Sequence, residues 1–226
     1  VLPSIAKGTH ERIMFLTDSI HASTPPSLFN RIPGHRLFKT VNYELKDIFG
    51  FEPEFGYSSI VVISCGLNDL SRYGKTAHVL ADLVTKRLAA CCRKYPNTNF
   101  IFNSIMSTTY GWLNNEIGAF NRIMFRLSTE VSNLSFFDSH SIIADSPLSR
   151  RNDNVIESRK GYNANGCHLT LAAKRLIIAE LVKTVEYLVS RRSGVAPSPR
   201  LRSWSWHIRA EFMEIYRDVM SCRNVG

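Results

Sequence analysis

"MFLTDSIHAS", residues 14–23, is the stretch on which the reading of the whole chain turns. An apolar run, Met14-Phe15-Leu16, stops abruptly at Thr17-Asp18-Ser19. Near-continuous apolarity over so few residues suits a strand of a parallel sheet covered on both faces, because a strand with one wet face would alternate. The polar triplet then marks the point where the strand leaves the sheet. Ligands of open parallel sheets bind beyond the carboxyl ends of the strands, so a serine beside an aspartate at such an exit is a candidate for chemistry.

The same signature recurs. "RIMFLTD" (12–18), "SIVVISC" (59–65), "NFIFNSI" (99–105) and "NLSFFDS" (133–139) are short runs of apolar β-formers bounded by turn residues. A further strand is expected at "SLFNRI" (27–32). Helical periodicity occupies roughly 35–49, 75–94, 113–131 and 169–191. Strand alternating with helix predicts a parallel sheet with helices on both faces, over a domain spanning 11–192. The remainder, 193–226, reads as a Ser/Pro/Gly/Arg linker, "SGVAPSPRLRS", followed by an amphipathic helix with apolar residues at Trp206, Ile208, Phe212, Ile215, Tyr216 and Met220.

Composition bounds the function class. With 226 residues, 44% apolar, 11% aromatic and 21% charged, the chain builds a packed core and is not a disordered polymer. No window reaches the roughly 18 uncharged apolar residues of a membrane span, and the first residues, "VLPSIAKGTHER", lack the apolar core of a signal peptide. Cys65, Cys91, Cys92, Cys167 and Cys222 are odd in number and form no disulfide or zinc framework, so they are read as free thiols. The expectation is a soluble protein of an intracellular, reducing compartment, cytoplasmic or nuclear. The first residue is valine, as in a segment of a longer polypeptide. A net charge of +9 and pI near 9.5 favour RNA, DNA or an anionic membrane surface as partner. A solvated basic surface accounts for the same charge, and no RNA- or DNA-reading motif is present.

The strand exits supply a coherent set of groups. The first carries the Ser19 hydroxyl, and the third leads into "CGLND" (65–69), where Gly66 permits an unusual backbone angle and Asn68 offers an amide donor. Far along the chain, "NANGCHLTLAAKR" sets His168 directly before the last long helix. A nucleophile, a base to take its proton and a donor for the developing oxyanion are the parts that acyl transfer requires. Each alone is weak: a "TDS" usually caps a turn, and a lone histidine usually lies on the surface or in a core. Their order and placement carry the argument.

In these residues the sequence resembles the SGNH hydrolases, also called GDSL esterases. "TDS" (17–19), "GLND" (66–69) and "NGCHLT" (165–170) match the family's blocks in order and position, and the resemblance spans about residues 11–190. It implies a flavodoxin-like three-layer α/β/α sandwich with about five parallel strands in the order 2-1-3-4-5. It further implies serine-dependent hydrolysis of a small ester, acetyl or short-chain acyl, or of a short-chain lipid ester, without metal or organic cofactor. Carried over, Ser19 is the nucleophile and its backbone N–H an oxyanion donor, Asn68 is a side-chain donor, and His168 is the general base. Gly34 in "RIPGHR" stands for the family's further glycine donor, with Gly50, Gly56 or no residue at all as alternatives. A narrower resemblance, through the compact spacing, the basic charge and "GLNDLSRYGKTAHVLADLV", is to the esterase-like domains of transposable-element proteins. That would make the basic surface and C-terminal helix parts of a ribonucleoprotein, with a protein partner for the helix. The competing class is a catalytically weak or silent SGNH-fold module that binds nucleic acid, membrane or protein.

Two departures stand out. Thr17 replaces the family's first glycine. Asn165 stands where the family has the aspartate that orients the histidine; an amide can accept a hydrogen bond from His168 but adds no charge to stabilise its imidazolium. In a serine protease the equivalent change costs about 10⁴ in turnover. Three readings stay open: a Ser-His dyad braced by a carbonyl or another acid, a loss of activity, or a fold kept for binding. Asp138, Asp153 and Glu157 are candidate substitutes for the acid. Among lesser candidates, Cys167 beside His168 has no second ligand pair at metal spacing. His21 and His35 either line the substrate entrance or are ordinary surface histidines, and Tyr110, Trp112 and Phe120 are either an acyl-binding wall or helix packing.

Overall fold

A computed structural model of the chain describes residues 11–18, 21, 35–41, 44–144 and 169–192. Five parallel strands, β1 (Glu11–Thr17), β2 (His35–Val41), β3 (Ile60–Ser64), β4 (Asn99–Asn103) and β5 (Leu134–Phe137), form one sheet in the order β2-β1-β3-β4-β5. The helices are α1 (Glu52–Phe55), α2 (Leu67–Ser71), α3 (Ala77–Lys94), α4 (Gly111–Glu130), α5 (Ser139–Ala144) and α6 (Leu171–Arg192), with a 3₁₀ segment at Leu45–Phe51. Helices cover both faces, the expected three-layer arrangement.

The strands form because their residues are apolar on both sides. Ile13, Met14, Phe15 and Leu16 of β1 and every residue from Ile60 to Ile63 of β3 are essentially inaccessible, as the unbroken apolar runs require. α3 and α4 pack together on one layer, α3 also meeting the 3₁₀ segment. They bury the stripes Leu80, Val84, Leu88 and Leu113, Ile117, Phe120, Met124. Phe102 of β4 meets Phe120 edge-on at 6.0 Å, and Phe125 meets Phe136 of β5 at 5.8 Å. Phe120 is therefore core, not a wall for an acyl group. α3 begins at an N-cap, Thr76, whose hydroxyl accepts from the Val79 N–H.

One element departs from expectation. Residues 35–41, expected to open a helix, are strand β2, paired residue for residue with β1 from Glu11↔His35 to Thr17↔Val41. "HRLFKTV" is rich in β-branched and aromatic residues. The Pro33-Gly34 turn signal stands in sequence directly before a strand, not after one. The strand expected at 27–32 lies outside the described residues.

The amino edge of the sheet is closed by a side-chain staple: the Asn133 amide donates to the carbonyls of Cys92, Tyr95 and Thr98 at 3.0, 3.1 and 2.9 Å. No described helix is long and apolar enough to cross a membrane. The chain divides into two compact units, residues 1–182 and 183–226, the division falling within α6. In the first, α6 buries Ala173, Ile177, Ile178 and Leu181. In the second, the described residues are the end of that helix, where the Arg191 guanidinium stands 5.9 Å from the Tyr187 ring. The segment from 193 onward, with its expected helix, lies outside the described residues.

Candidate active site at the carboxyl edge

The exits of β1 and β3 are tied together directly. The Asp18 N–H donates to the Ser64 carbonyl at 3.2 Å, and the Asp18 carboxylate accepts from the Leu67 N–H at 3.3 Å. Leu67 is the first residue of α2, so one of the donors that a helix start leaves unpaired is satisfied by a buried carboxylate from the neighbouring strand. Thr17 is wholly buried and its hydroxyl donates to the Asp18 carbonyl at 3.1 Å. The position that the family gives to glycine thus holds a side chain turned inward to the local backbone.

Gly66 makes the turn between β3 and α2 at φ +124°, a conformation that residues with a Cβ rarely adopt. A Cβ there would lie 2.6 Å from the Ile105 Cδ1. Close approach and backbone angle therefore both require glycine. The turn delivers Asn68 to the first turn of α2, half-buried at the edge. Asp69 beside it is completely buried. It accepts from the Leu45 N–H and from the Lys75 ammonium, each at 2.7 Å, and Lys75 also reaches Glu44 at 2.5 Å. Burial lowers the Lys75 pKa, but its hydrogen bonds to Asp69 and Glu44 outweigh that and leave it raised. Glu44 is correspondingly lowered by Lys75 and then Lys46. The aspartate of "GLND" is thus a buttress that fastens α2 to the segment after β2.

The next exits are equally bound. Asn103, at the end of β4, is buried; its amide donates to the Ser64 hydroxyl at 2.8 Å, and its carbonyl oxygen accepts from the Ser139 hydroxyl. One amide therefore links the exits of β3, β4 and β5. Asp138 has its oxygens occupied by the start of α5: they accept from the N–H groups of His140 and Ser141 at 3.1 and 3.3 Å and from the Ser141 hydroxyl at 2.6 Å. The Ser104 hydroxyl adds a fourth bond at 3.3 Å. The carboxylate named as a substitute acid is a helix cap. Asn103 and Ser104 are site-building residues that motif reading did not single out, and the signal available was a polar residue ending an apolar strand; Asp69 belongs to "GLND", but its part as a buttress did not show in the motif.

A small cavity of about 10 Å³ opens among Asp18, His21, Ser64, Cys65, Leu67, Asn103, Ser104, Ile105 and Met106. That is room for about one water or methyl group. His21 lines it, buried, with its ring edge-on to Phe15 at 5.8 Å, and is not a surface histidine. His35 opens β2 beside Glu11, at the amino edge. It is six residues, about 20 Å along the strand, from the level of Thr17. It has no place at the entrance.

Of the expected site residues, Ser19, Gly34, Asn165 and His168 lie outside the described residues, as do Asp153, Glu157 and Cys167. Asn68 is described, together with the immediate neighbours of Ser19 and His168: Asp18, and Leu169, which is buried just before α6. Thr170 caps that helix, its hydroxyl accepting from the Ala173 N–H at 3.3 Å. The course of β2 bears on Gly34: the strand starts at His35, so a donor from its exit has to come from the chain after Val41. Gly50 lies within the 3₁₀ segment and Gly56 follows α1, where a Cβ would meet the Tyr95 ring at 3.1 Å.

No protein-family model matches the sequence, and no curated protein matches it. Solved structures do resemble it in fold. A lipase/acylhydrolase from Enterococcus faecalis superposes with TM-score 0.62 at 15% identity, covering 83% of this chain and 98% of that one. A carbohydrate esterase family 3 protein from Talaromyces cellulolyticus gives 0.61 at 15%, covering 80% and 99%. A lipolytic protein of the G-D-S-L family from Veillonella parvula gives 0.57 at 13%, covering 76% and 97%. With its parallel β2-β1-β3-β4-β5 sheet between helical layers and its polar residues gathered at the strand exits, the chain has the SGNH hydrolase fold.

Proposed function

We propose that the protein hydrolyses small esters, acetyl or short-chain acyl, with Ser19 as nucleophile, His168 as general base and Asn68 as an oxyanion donor. In this reading the Ser19 hydroxyl adds to the ester carbonyl while His168 takes its proton. Negative charge developing on the carbonyl oxygen is met by the Asn68 amide and the Ser19 N–H. Collapse expels the alcohol, which takes the proton back from His168, and water then cleaves the acyl-serine by the same steps. Asn165 takes the place of the family's acid and supplies a hydrogen-bond acceptor without charge.

The observation that carries the proposal is the Asp18 to Leu67 hydrogen bond. Ser19 follows one partner and Asn68 follows the other in sequence. A nucleophile and an oxyanion donor are thereby each one residue from a buried contact that joins their two strands. The water-sized cavity that Asp18 and Leu67 help to line favours a short acyl group. The likeness in fold to lipases and esterases is consistent with it.

The test is hydrolysis of p-nitrophenyl acetate by the purified chain and by Ser19→Ala, with fold followed by circular dichroism. Turnover that depends on Ser19 is expected. Equal rates for the two proteins would end the proposal.

A further inference from the structure

The segment that leaves β4 toward α4 is braced far more heavily than a surface loop requires. The Asn121 side chain holds Ile105 from both sides, accepting from its N–H at 2.9 Å and donating to its carbonyl at 2.8 Å. Asn114 does the same for Thr108, at 2.8 and 2.9 Å. Two amides of one helix thus stand in for a neighbouring strand, and Ser107 lies between the two clasped residues. Ile105 and Thr108 are buried, whereas Ser107 is half-buried and the segment surfaces beyond it, with Tyr110 45% exposed.

What this support holds is a serine against a histidine. The Ser107 hydroxyl lies 2.9 Å from the His140 Nδ1. Ser107 follows the exit of β4, and His140 stands in the first turn of α5, just after β5. The pair therefore bridges two neighbouring strand exits at the carboxyl edge, where ligands of open parallel sheets bind. His140 is itself half-buried and held by its backbone: its N–H donates to the Asp138 carboxylate at 3.1 Å and to the Ser104 hydroxyl at 3.3 Å. A hydroxyl within hydrogen-bond reach of an imidazole, both on fixed supports, is the arrangement that activates a serine. A bond that merely tied the two exits together would repeat what the Asn103 to Ser139 and Ser104 to Asp138 bonds already do there.

We infer that Ser107 and His140 form a second nucleophilic site, at which the Ser107 hydroxyl takes acyl groups from activated esters. With the imidazole proton on Nε2, Nδ1 accepts from the hydroxyl and can take its proton. The Ser107 Oγ then bonds to the ester carbonyl carbon as its O–H bond breaks. The alcohol leaves with the electron pair of the broken C–O bond and recovers the proton from Nδ1, so the products are an acyl-serine and the free alcohol. Asp138 sets a negative charge at the turn that carries the transient imidazolium. Nothing in this constellation draws on Ser19, Asn68 or His168.

The experiment treats the folded chain with a fluorophosphonate, whose P–F bond breaks as the serine P–O bond forms, the proton leaving with fluoride. Trypsin separates the two serines, since Ser19 falls in residues 13–31 and Ser107 in residues 95–122. Fragment-ion mass spectra should place a phosphonyl group on Ser107, at the same rate in the parent and in Ser19→Ala. That rate should fall at least about a hundredfold in His140→Gln, which keeps a hydrogen-bonding amide but offers no base, and as far in the parent unfolded in urea. Circular dichroism follows the fold of the variant, and if it unfolds, the folded and urea-unfolded parent decide the matter alone. A Ser107 that stays unlabelled in the folded parent, or that is labelled equally fast in folded His140→Gln or in the unfolded chain, overturns the inference. Label confined to 13–31 removes this site and leaves the Ser19 reading standing, whereas label on Ser107 alone does the reverse.

Discussion

Replacing Gly66 by alanine tests the geometry of the site at the residue that sets it. Two costs are readable. The backbone stands at φ +124°, ψ −13°, where a Cβ is disfavoured by about 1–3 kcal/mol. The new methyl would also lie 2.6 Å from the Ile105 Cδ1 and 3.4 Å from its Cγ1. Ile105 is 3% exposed and its backbone is clasped by Asn121, so the side chain yields only by repacking, at about 1–3 kcal/mol. Cδ1 is the far end of the side chain, which puts the steric part toward the lower figure. A total of about 2–5 kcal/mol is expected, read as a lower urea midpoint at unchanged slope. The two costs separate in a cycle with Ile105→Val, which removes Cδ1 and by itself costs about 0.5–1.5 kcal/mol. The double variant should recover the steric part and keep the backbone part. Esterase activity should fall in both, because Asn68 is set by the same turn. A Gly66→Ala protein within about 0.5 kcal/mol of the parent would refute the reasoning.

Three further outcomes follow from named contacts. Asn103→Ala strands the buried hydroxyls of Ser64 and Ser139 and should cost about 2–4 kcal/mol in urea unfolding; a neutral result would mean that water replaces the amide. Asn165→Asp should raise esterase turnover, since a carboxylate stabilises the imidazolium of His168, while a rate no higher than that of the parent and of Asn165→Ala would show the histidine braced elsewhere. Burial pushes the thiols of Cys91 and Cys92 from their ordinary 9.0 up to about 11 and about 12, so above pH 9.0 the unfolded chain loses protons that the fold retains. Stability from this source is complete below pH 9.0 and should decline by about 1.4 kcal/mol per thiol per pH unit above it, less steeply in Cys92→Ala.

The sheet was legible because parallel strands covered on both faces carry an unbroken apolar signature, and β1, β3 and β4 have it; β5, at one edge, breaks it with Ser135 but keeps Leu134, Phe136 and Phe137 between turn residues. β2 was not. It stands at the sheet's edge and mixes Arg36 and Lys39 with Leu37 and Phe38, a pattern that also fits a helix face. Pro33-Gly34, which precedes it in sequence, points to the wrong end of the strand for the second exit. At the site, the glycine of "GLND" could be read because a turn needing positive φ is visible in sequence, whereas the tie of Asp69 to Leu45 and Lys75 joins residues that nothing in the motif names. The roles of Asn103, Asn114 and Asn121 could not be read. Each acts through hydrogen bonds to partners at separations of 6 to 39 residues, and nothing in a lone asparagine announces the strand or loop that it will hold.

The bracing also bears on where charge for the histidine can come from. Of the carboxylates first weighed as substitutes for the missing acid, Asp138 is committed to the start of α5, accepting from two N–H groups and two hydroxyls. Turning it toward a histidine would leave those donors unsatisfied, at about 1–3 kcal/mol for each one kept from water. Asp18 and Asp69 are buried at the same edge and equally engaged, one by the Leu67 N–H, the other by Leu45 and Lys75. The described carboxylates nearest the active strands in sequence therefore serve the scaffold. The other two candidate acids, Asp153 and Glu157, precede Asn165 in sequence and lie outside the described residues. This is why a single uncharged-to-charged change at Asn165 is the informative one: it restores the missing charge without drawing on any carboxylate that the sheet edge needs.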